Sequence, residues 1–369
     1  MKRITILGGY GNAGYWTAFY LLRNTEGIEL ILAGRNYNKA EFACEKLKNE
    51  FPNSSIKPML LDASDQDSLN QAFSQTDLII VASSTMQYQQ QIIDCAIENN
   101  IDYFDINLSS KEKITYLKSK EKIIKERNLC FITDGGFHPG VPGALIQYAK
   151  NRFDTIETAE IYSAIKIDWK PLDIGKDTAK EMILEFKDYN ADIYKDGEWQ
   201  KSKSMYKKHQ FGEPWGKMNT TPMFLEELRT IPEEIKSLKE IGFYVSGFNW
   251  FTDSIVFPLI FILLPIFGKT ITGFLGAILK WSLYKFSKPP FGLILEVVAS
   301  GIIDGKPEEK TISLFHEDGY IFTAIPAVAC VLQYINLEKK PGVFLQANFV
   351  EPESFFTDMV NMGVRLTSR

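Results

Sequence analysis

Short runs of β-branched and apolar residues alternate along the first 135 positions with longer segments of helical period, the pattern that specifies parallel strands joined by crossover helices. The runs predict strands at 4–7, 30–33, 57–61, 78–82, 103–105 and 130–133. Between them the period predicts helices at 14–23, 39–50, 65–75, 87–99 and 111–126. The expected fold class is α/β, a Rossmann-type doubly wound parallel sheet. Beyond position 150 the pattern changes. Alternation predicts strands at 159–168 and 191–199, and a hairpin pairs 292–303 with 310–316 around Asp304-Gly305-Lys306. Helical spacing covers 178–187 and 324–336, with a short helix near 355–362. A second, α+β domain follows, with a mixed sheet and helices on one face. The predicted organisation is a nucleotide-binding domain at 1–135, a substrate or dimerisation domain at 136–340, and a closing segment at 341–369 that packs back on the first domain.

One stretch breaks the pattern. From 254 to 279 the only charge is Lys269, and 255–268 carries none. Fourteen apolar residues interrupted by Pro258 and Pro265 fall below the roughly 20 that cross a bilayer. A single crossing would also separate by a membrane the strands before and after it, which are expected to share one sheet. The chain should therefore return to the side it left, as a helical hairpin or re-entrant patch. Trp250, Trp281, Tyr284, Lys280, Lys285 and Lys288 flank it, residue types that sit at an aqueous–lipid boundary. The competing readings are a hydrophobic interface in a homodimer and a substrate lid.

Composition narrows the classes. A chain of 369 residues, 45% hydrophobic and 24% charged, is too long and too apolar for a disordered or single small module. A formal net charge of -5 without a long basic run argues against nucleic acid as a partner. Cys44, Cys95, Cys130 and Cys330 form no CxxC pair, and the three histidines are scattered, so neither a disulfide framework nor a metal site is suggested and a cytoplasmic, reducing setting fits, peripheral at a membrane if the apolar patch meets one. The amino-terminal apolar stretch breaks at glycines too soon for a signal peptide, and the mature chain is expected to start at Met1.

The first strand runs into Gly8-Gly9-Tyr10-Gly11-Asn12-Ala13-Gly14. Glycines there permit a tight turn and let the backbone approach a pyrophosphate, while the following helix offers free N–H groups and the positive end of its dipole. The tip of the second strand selects the cofactor. An acid about twenty residues past the glycines would hold the ribose hydroxyls of NAD, whereas an arginine suits the 2′-phosphate of NADP. The strand ends Gly34-Arg35-Asn36, so NADP(H) is favoured over NAD(H), unless Arg35 is simply a solvated residue. Asp62, after the third strand, caps the next helix or sits near the adenine. Ser83 and Ser84, after the fourth, suit a chain passing beside the nicotinamide.

Taken with Tyr103-Phe104-Asp105-Ile106-Asn107, Gly135-Gly136-Phe137-His138-Pro139-Gly140-Val141-Pro142, the stretch His316-Glu317-Asp318-Gly319-Tyr320 and the closing Pro352-Glu353-Ser354-Phe355-Phe356, these motifs resemble the saccharopine dehydrogenase-like family. That family includes saccharopine reductases, carboxynorspermidine dehydrogenases, lysine dehydrogenases and lipid-acting trans enoyl reductases. The resemblance covers nearly the whole chain and is weakest over 195–290. It implies an NAD(P) domain joined to an α+β domain of saccharopine-reductase type, and it leaves the substrate open.

Hydride chemistry asks the protein for a pocket and a proton donor. Asp105 matches the family's Tyr-x-Asp pattern and stands at a strand's carboxyl end, where it orients substrate or relays a proton, or else caps a turn. His138 suits general acid work by its near-neutral pKa, or is held as a turn residue by its proline and glycine neighbours. His209 reads as a surface residue and Cys130 as a core one. Arg152, Arg229 and Arg365 are few for clamping an amino dicarboxylate. The expected function is an NADP(H)-dependent oxidoreductase reducing a C=C or C=N bond of a lipid or membrane-proximal small molecule. The alternatives are an amino-acid or polyamine imine reductase and a non-catalytic NADP-binding sensor or membrane-surface scaffold.

Overall fold

In the computed structural model, residues 1–108, 110–171, 174–186 and 189–369 are described. The first half alternates as the pattern predicts: β1 (Lys2–Leu7), α1 (Asn12–Asn24), β2 (Ile28–Gly34), α2 (Tyr37–Glu50), β3 (Ser55–Leu60), α3 (Gln66–Phe73) and β4 (Leu78–Val81). Then come α4 (Gln89–Glu98), β5 (Asp102–Asp105), α5 (Lys111–Glu126), β6 (Cys130–Thr133) and α6 (Val141–Lys150). The middle holds β7 (Thr155–Lys166), α7 (Lys176–Glu185), β8 (Asp192–Lys195), β9 (Glu198–Lys201), β10 (Lys207–Gln210), β11 (Lys217–Pro222), α8 (Ile231–Glu234) and β12 (Glu240–Ser246). It continues with α9 (Phe257–Phe267), α10 (Thr272–Phe286), β13 (Gly292–Ile303) and β14 (Lys306–His316). The chain closes with α11 (Gly319–Asn336), β15 (Gly342–Leu345), α12 (Gln346–Phe349), α13 (Pro352–Asn361) and β16 (Arg365–Ser368).

Two units form: Met1–Tyr148 with Tyr320–Val364, and Ala149–Gly319 with Arg365–Arg369. In the first, seven parallel strands run β15-β6-β5-β4-β1-β2-β3. The order reverses between β1 and β4, where such sheets open a crevice at their carboxyl ends. β2 is buried at every residue, as a parallel strand covered on both faces must be. Pro58 lies in β3, the edge strand, where a missing ladder N–H costs least.

The division falls after 148 rather than 135, and 320–340 belong to the first unit, not the second. The reason lies in α11, whose run Ala324–Leu332 is buried throughout. The Tyr334 hydroxyl donates to the carboxylate of Asp102 on β5, and Lys2 and Lys339 close around the pair. The closing segment divides as well. β15 adds to the first sheet beside β6, and Gln346 both accepts from the Gly136 N–H and donates to its carbonyl. β16 pairs instead with β14 in the second unit.

The second sheet is mixed and runs β10-β11-β12-β7-β13-β14-β16, with the β8–β9 hairpin joined to β12. β12 is parallel to β7; the other pairings in that sheet are antiparallel. Three differences from the sequence reading stand out. The strand expected at 191–199 is a hairpin, because Asp196 and Gly197 both take positive φ (55° and 92°), the pairing a two-residue turn of this kind requires. The strand expected from 310 starts at Lys306, directly after the equivalent turn at Asp304-Gly305. The helix expected at 178–187 spans Lys176–Glu185, and position 187 lies outside the described residues.

The apolar stretch is a pair of helices that returns on itself. Thr252 Oγ1 and Ser282 Oγ lie 2.7 Å apart, Asn249 donates to the Ser282 carbonyl, and Phe251 stacks on Phe286 with centroids 4.8 Å apart. Ile260, Leu264, Leu275, Leu279 and Leu283 face a small core with Trp169, Ile174 and Ile183.

At the base of this hairpin, burial pushes the Asp253 carboxyl up to about 7 against the pull of the Gly247, Phe248 and Asn249 N–H groups. An unfolded aspartate titrates near 3.9, so between about pH 4 and 7 the native chain holds a proton that the unfolded chain releases. Stability is expected to fall as pH rises through that window and to level off above it. Thermal unfolding of wild type and Asp253→Asn across pH 4–8 checks this: the variant should lose that part of the slope, and parallel curves would refute it.

Candidate nucleotide-binding site

The carboxyl ends of β1, β2 and β4 meet at the crevice. Gly8 follows the first strand with φ of 87°, and a Cβ there would lie 2.7 Å from the Ala82 carbonyl and 2.8 Å from Ser83 Cβ. The glycine turn and the Ser83-Ser84 loop are therefore in direct contact. Gly14 presses equally close, since a Cβ on it would sit 2.2 Å from the Gly8 carbonyl oxygen. Between them Gly11 opens α1 in extended conformation without a side-chain cap, and the first turn carries no acid. An uncapped, acid-free helix start of thirteen residues presents N–H groups and a positive dipole end to an anion. Asn12 is exposed there and Ala13 half-buried.

One strand further, Tyr10 folds its ring over Gly34, where a Cβ would come within 2.6 Å of the ring, and its hydroxyl accepts from the Asn36 N–H at 3.2 Å. The Asn36 side chain caps α2 by accepting from the Lys39 N–H. These two ties hold the tip of β2 and leave Arg35 exposed between them. Asp62 does not cap the next helix; Asp65 does, accepting from the Asp67 N–H. Asp62 instead accepts from the Ser64 N–H (2.9 Å) and hydroxyl (2.7 Å), bonds that hold its carboxyl below the usual range, with Arg35 adding to the effect. Ser83 Oγ lies 3.1 Å from Thr85 Oγ1, and Ser84 is exposed. Gly8, Gly9, Tyr10, Gly11, Asn12, Ala13, Gly14, Arg35, Asp62, Ser83 and Ser84 thus all lie in the segments that follow the carboxyl ends of β1, β2, β3 and β4.

The two residues singled out for proton chemistry stand deeper. Asp105 is fully buried. Its carboxylate accepts from the Tyr103 hydroxyl (2.8 Å), the Thr133 hydroxyl (2.7 Å), the Asn107 N–H (3.0 Å) and Lys113 Nζ (3.1 Å). Lys113 also reaches Asp134 at 2.7 Å and the Asn107 carbonyl at 2.9 Å. Burial alone would lower the Lys113 pKa, but the Asp105 and Asp134 carboxylates outweigh it and hold the ammonium above its ordinary value. With every contact internal, Asp105 braces the loop after β5. His138 stacks on Phe137 with centroids 3.9 Å apart, and Phe137 in turn meets Phe322 at 4.1 Å. Burial pushes its imidazole down to about 3, so near neutral pH the ring is an uncharged donor or acceptor and not an imidazolium acid.

Sequence reasoning missed Lys113, which stands in a lysine-rich stretch that reads as a solvated face. The available signal was its spacing: Lys113, Leu117 and Ile124 share the buried stripe of α5. His209, read as a surface residue, stacks on Tyr162 with centroids 3.8 Å apart and bonds Glu296 at 2.8 Å on the second sheet. Cys130 is a core residue, its thiol pushed up to about 12 by burial. Among the described residues no group of His, Cys, Asp or Glu is arranged to hold a metal ion.

Residues 4–129 match the saccharopine dehydrogenase NADP binding domain. The whole chain superimposes on apo saccharopine dehydrogenase (L-Glu forming) from Saccharomyces cerevisiae, with 12% identity, a TM-score of 0.70, and coverage of 100% of this chain and 99% of that one. A second structure, C. glutamicum DAP dehydrogenase in complex with DAP, aligns with 10% identity and a TM-score of 0.48 over 98% of each chain. No curated protein matches the sequence.

Proposed function

Because the chain carries a saccharopine dehydrogenase-like NADP-binding domain, we propose that it is an NADP(H)-dependent oxidoreductase that reduces a C=C or C=N bond of a lipid or membrane-proximal substrate. The observation that carries the cofactor half is the acid-free, uncapped start of α1 set one strand from an exposed arginine. Bound NADPH would supply the hydride. The chain's own part is positional. Amides at the start of α1 hold the diphosphate, Arg35 holds the 2′-phosphate as a charge-assisted donor, and the Ser83-Ser84 loop lines the path beyond Gly8. Asp105, Lys113 and Asp134 fix the loop after β5, and His138 offers a neutral ring to a neighbouring group.

The lipid half rests on what the second unit lacks. Arg229 spends its guanidinium on Glu226 (2.7 and 2.8 Å), Arg365 lies over the Phe315 ring, and Arg369 is 3.7 Å from Glu296. A clamp for an amino dicarboxylate built on Arg229 would compete with its Glu226 pairing, whereas an apolar chain asks for no such clamp. NADPH oxidation followed at its absorbance band against enoyl lipids and against amino-acid and polyamine imines tests the reading. Turnover with an enoyl or imine lipid and none with the amino-acid imines is expected. Turnover confined to the imines of amino acids or polyamines would replace the substrate class, and tight NADPH binding without any turnover would mark a sensor.

A further inference from the structure

The segment that least fits a soluble reductase is the α9–α10 hairpin. It leaves Ile262 (61%), Ile266 (67%), Phe267 (52%), Phe274 (55%) and Trp281 (51%) exposed, on two helices whose other sides already pack into the unit's core. A soluble surface rarely keeps so many large apolar side chains together without a partner. The charges are as one-sided as the apolar residues. Positions 254–295 contain Lys269, Lys280, Lys285 and Lys288 and no Asp, Glu or Arg, in a chain of net charge -5. Beside α7, an open groove of about 690 Å³ is lined by Lys180, Lys280, Lys285, Trp281 and Tyr284 over a floor of Gly273, Gly276 and Ala277. Cations and amphipathic rings around a small-residue floor suit a phosphate-bearing headgroup.

We propose that this hairpin docks the protein on the surface of an anionic bilayer, with the apolar side chains of α9 and α10 at the headgroup–acyl boundary and the exposed Lys269, Lys285 and Lys288 among the phosphates, while Lys280 donates to the Ile174 carbonyl within the unit. A single crossing does not fit the geometry, because the Thr252–Ser282 contact closes the base of the hairpin so that entry and exit lie together. A second copy of the chain is the poorer occupant. A two-fold contact would set this lysine group against itself, with no carboxylate in the segment to pair with it. An anionic surface supplies the missing charge, each lysine near it gaining about 1 kcal/mol.

The docking is independent of the reaction proposed above, and its test uses no cofactor. The full chain is floated with vesicles of phosphatidylcholine alone and of phosphatidylcholine with phosphatidylglycerol, at low and high salt. Flotation with the anionic vesicles, weakened by salt and by the neutral lipid, is expected. Lys285→Glu and Lys288→Glu, both at exposed positions, should each lower partitioning about fivefold or more, the factor that 1 kcal/mol represents. Phe267→Glu and Phe274→Glu, at exposed positions and checked for folding by circular dichroism, should abolish it. Absence of flotation with anionic vesicles, equal flotation with neutral ones, or a solution dimer that Phe274→Glu dissociates while vesicles stay unbound would each overturn the proposal.

Discussion

Lys113→Met is expected to lower stability by about 3–5 kcal/mol, the cost of stranding a buried charge whose partner has been removed. Lys113, Asp105 and Asp134 all have fully buried side chains. Methionine fills most of the lysine's volume, so the loss comes from electrostatics and not from a cavity. Two carboxylates would then share a dry site with only the Tyr103 and Thr133 hydroxyls and the Asn107 N–H to satisfy Asp105. The Lys113 pKa is raised in the folded state, so the ammonium's contribution is complete below about pH 10 and is lost only as pH climbs past its folded value. At neutral pH the wild type holds the full contribution. Chemical denaturation checks this, with the midpoint shifted and the slope against denaturant unchanged. Adding Asp105→Asn to the variant should restore part of the loss, because it removes one of the two uncompensated charges. A cost under about 1 kcal/mol for the single variant would mean that the three groups do not act as a unit.

The first sheet was legible because several signals agree there. Apolar runs such as 78–81 and 130–133 are buried at every residue, the glycine turn follows the first of the strands, and helical spacing fills the gaps. Lys113 was illegible for the opposite reason. Its neighbours Lys111, Glu112, Lys118 and Lys120 read as water-facing, and only tertiary placement beside two aspartates makes burial of a lysine affordable. The membership of 320–340 in the first unit is hidden in the same way, since the helix α11 joins that unit through Tyr334 and Asp102, a pairing across more than two hundred positions.

In the second sheet the strand β12 was overlooked although it lies beside β7 near the middle. Gly242 interrupts its apolar run and reads as a breaker. The structure shows why a glycine stands there: the Tyr244 ring lies across it, and a Cβ would come within 2.6 Å of that ring. The Asp196-Gly197 dipeptide was a turn signal of the same kind as Asp304-Gly305, which predicted its hairpin. The strands it joins, Asp192–Lys195 and Glu198–Lys201, are short and mostly polar, so little apolar alternation on either side marks the turn. The glycine turn and the arginine at the tip of β2 can be read along the sequence, but the role of Tyr10 cannot. Only the fold brings its ring onto Gly34 and its hydroxyl to the Asn36 N–H.

Arg35→Ala is expected to weaken NADPH binding by about 10- to 150-fold and to leave NADH binding nearly unchanged. The factor follows from about 1.5–3 kcal/mol for a hydrogen bond to a charged group, at tenfold per 1.4 kcal/mol. The substitution is clean because the local structure does not use the guanidinium. The strand tip is held by the Tyr10–Asn36 bond and by the Asn36 cap on α2, neither of which involves the Arg35 side chain. Asp62 loses a neighbouring cation but keeps both bonds from Ser64, the larger causes of its low pKa. Gly14→Ala provides the contrast. Its new methyl group would collide with the Gly8 carbonyl oxygen, displacing the turn that faces the diphosphate, which both nucleotides share. That variant should therefore lose NADPH and NADH together, whereas Arg35→Ala separates them. Isothermal titration of both nucleotides with both variants measures the pattern. If Arg35→Ala weakens the two nucleotides equally, the arginine is not reading the 2′-phosphate; if Gly14→Ala spares both, the nucleotide does not sit on the start of α1.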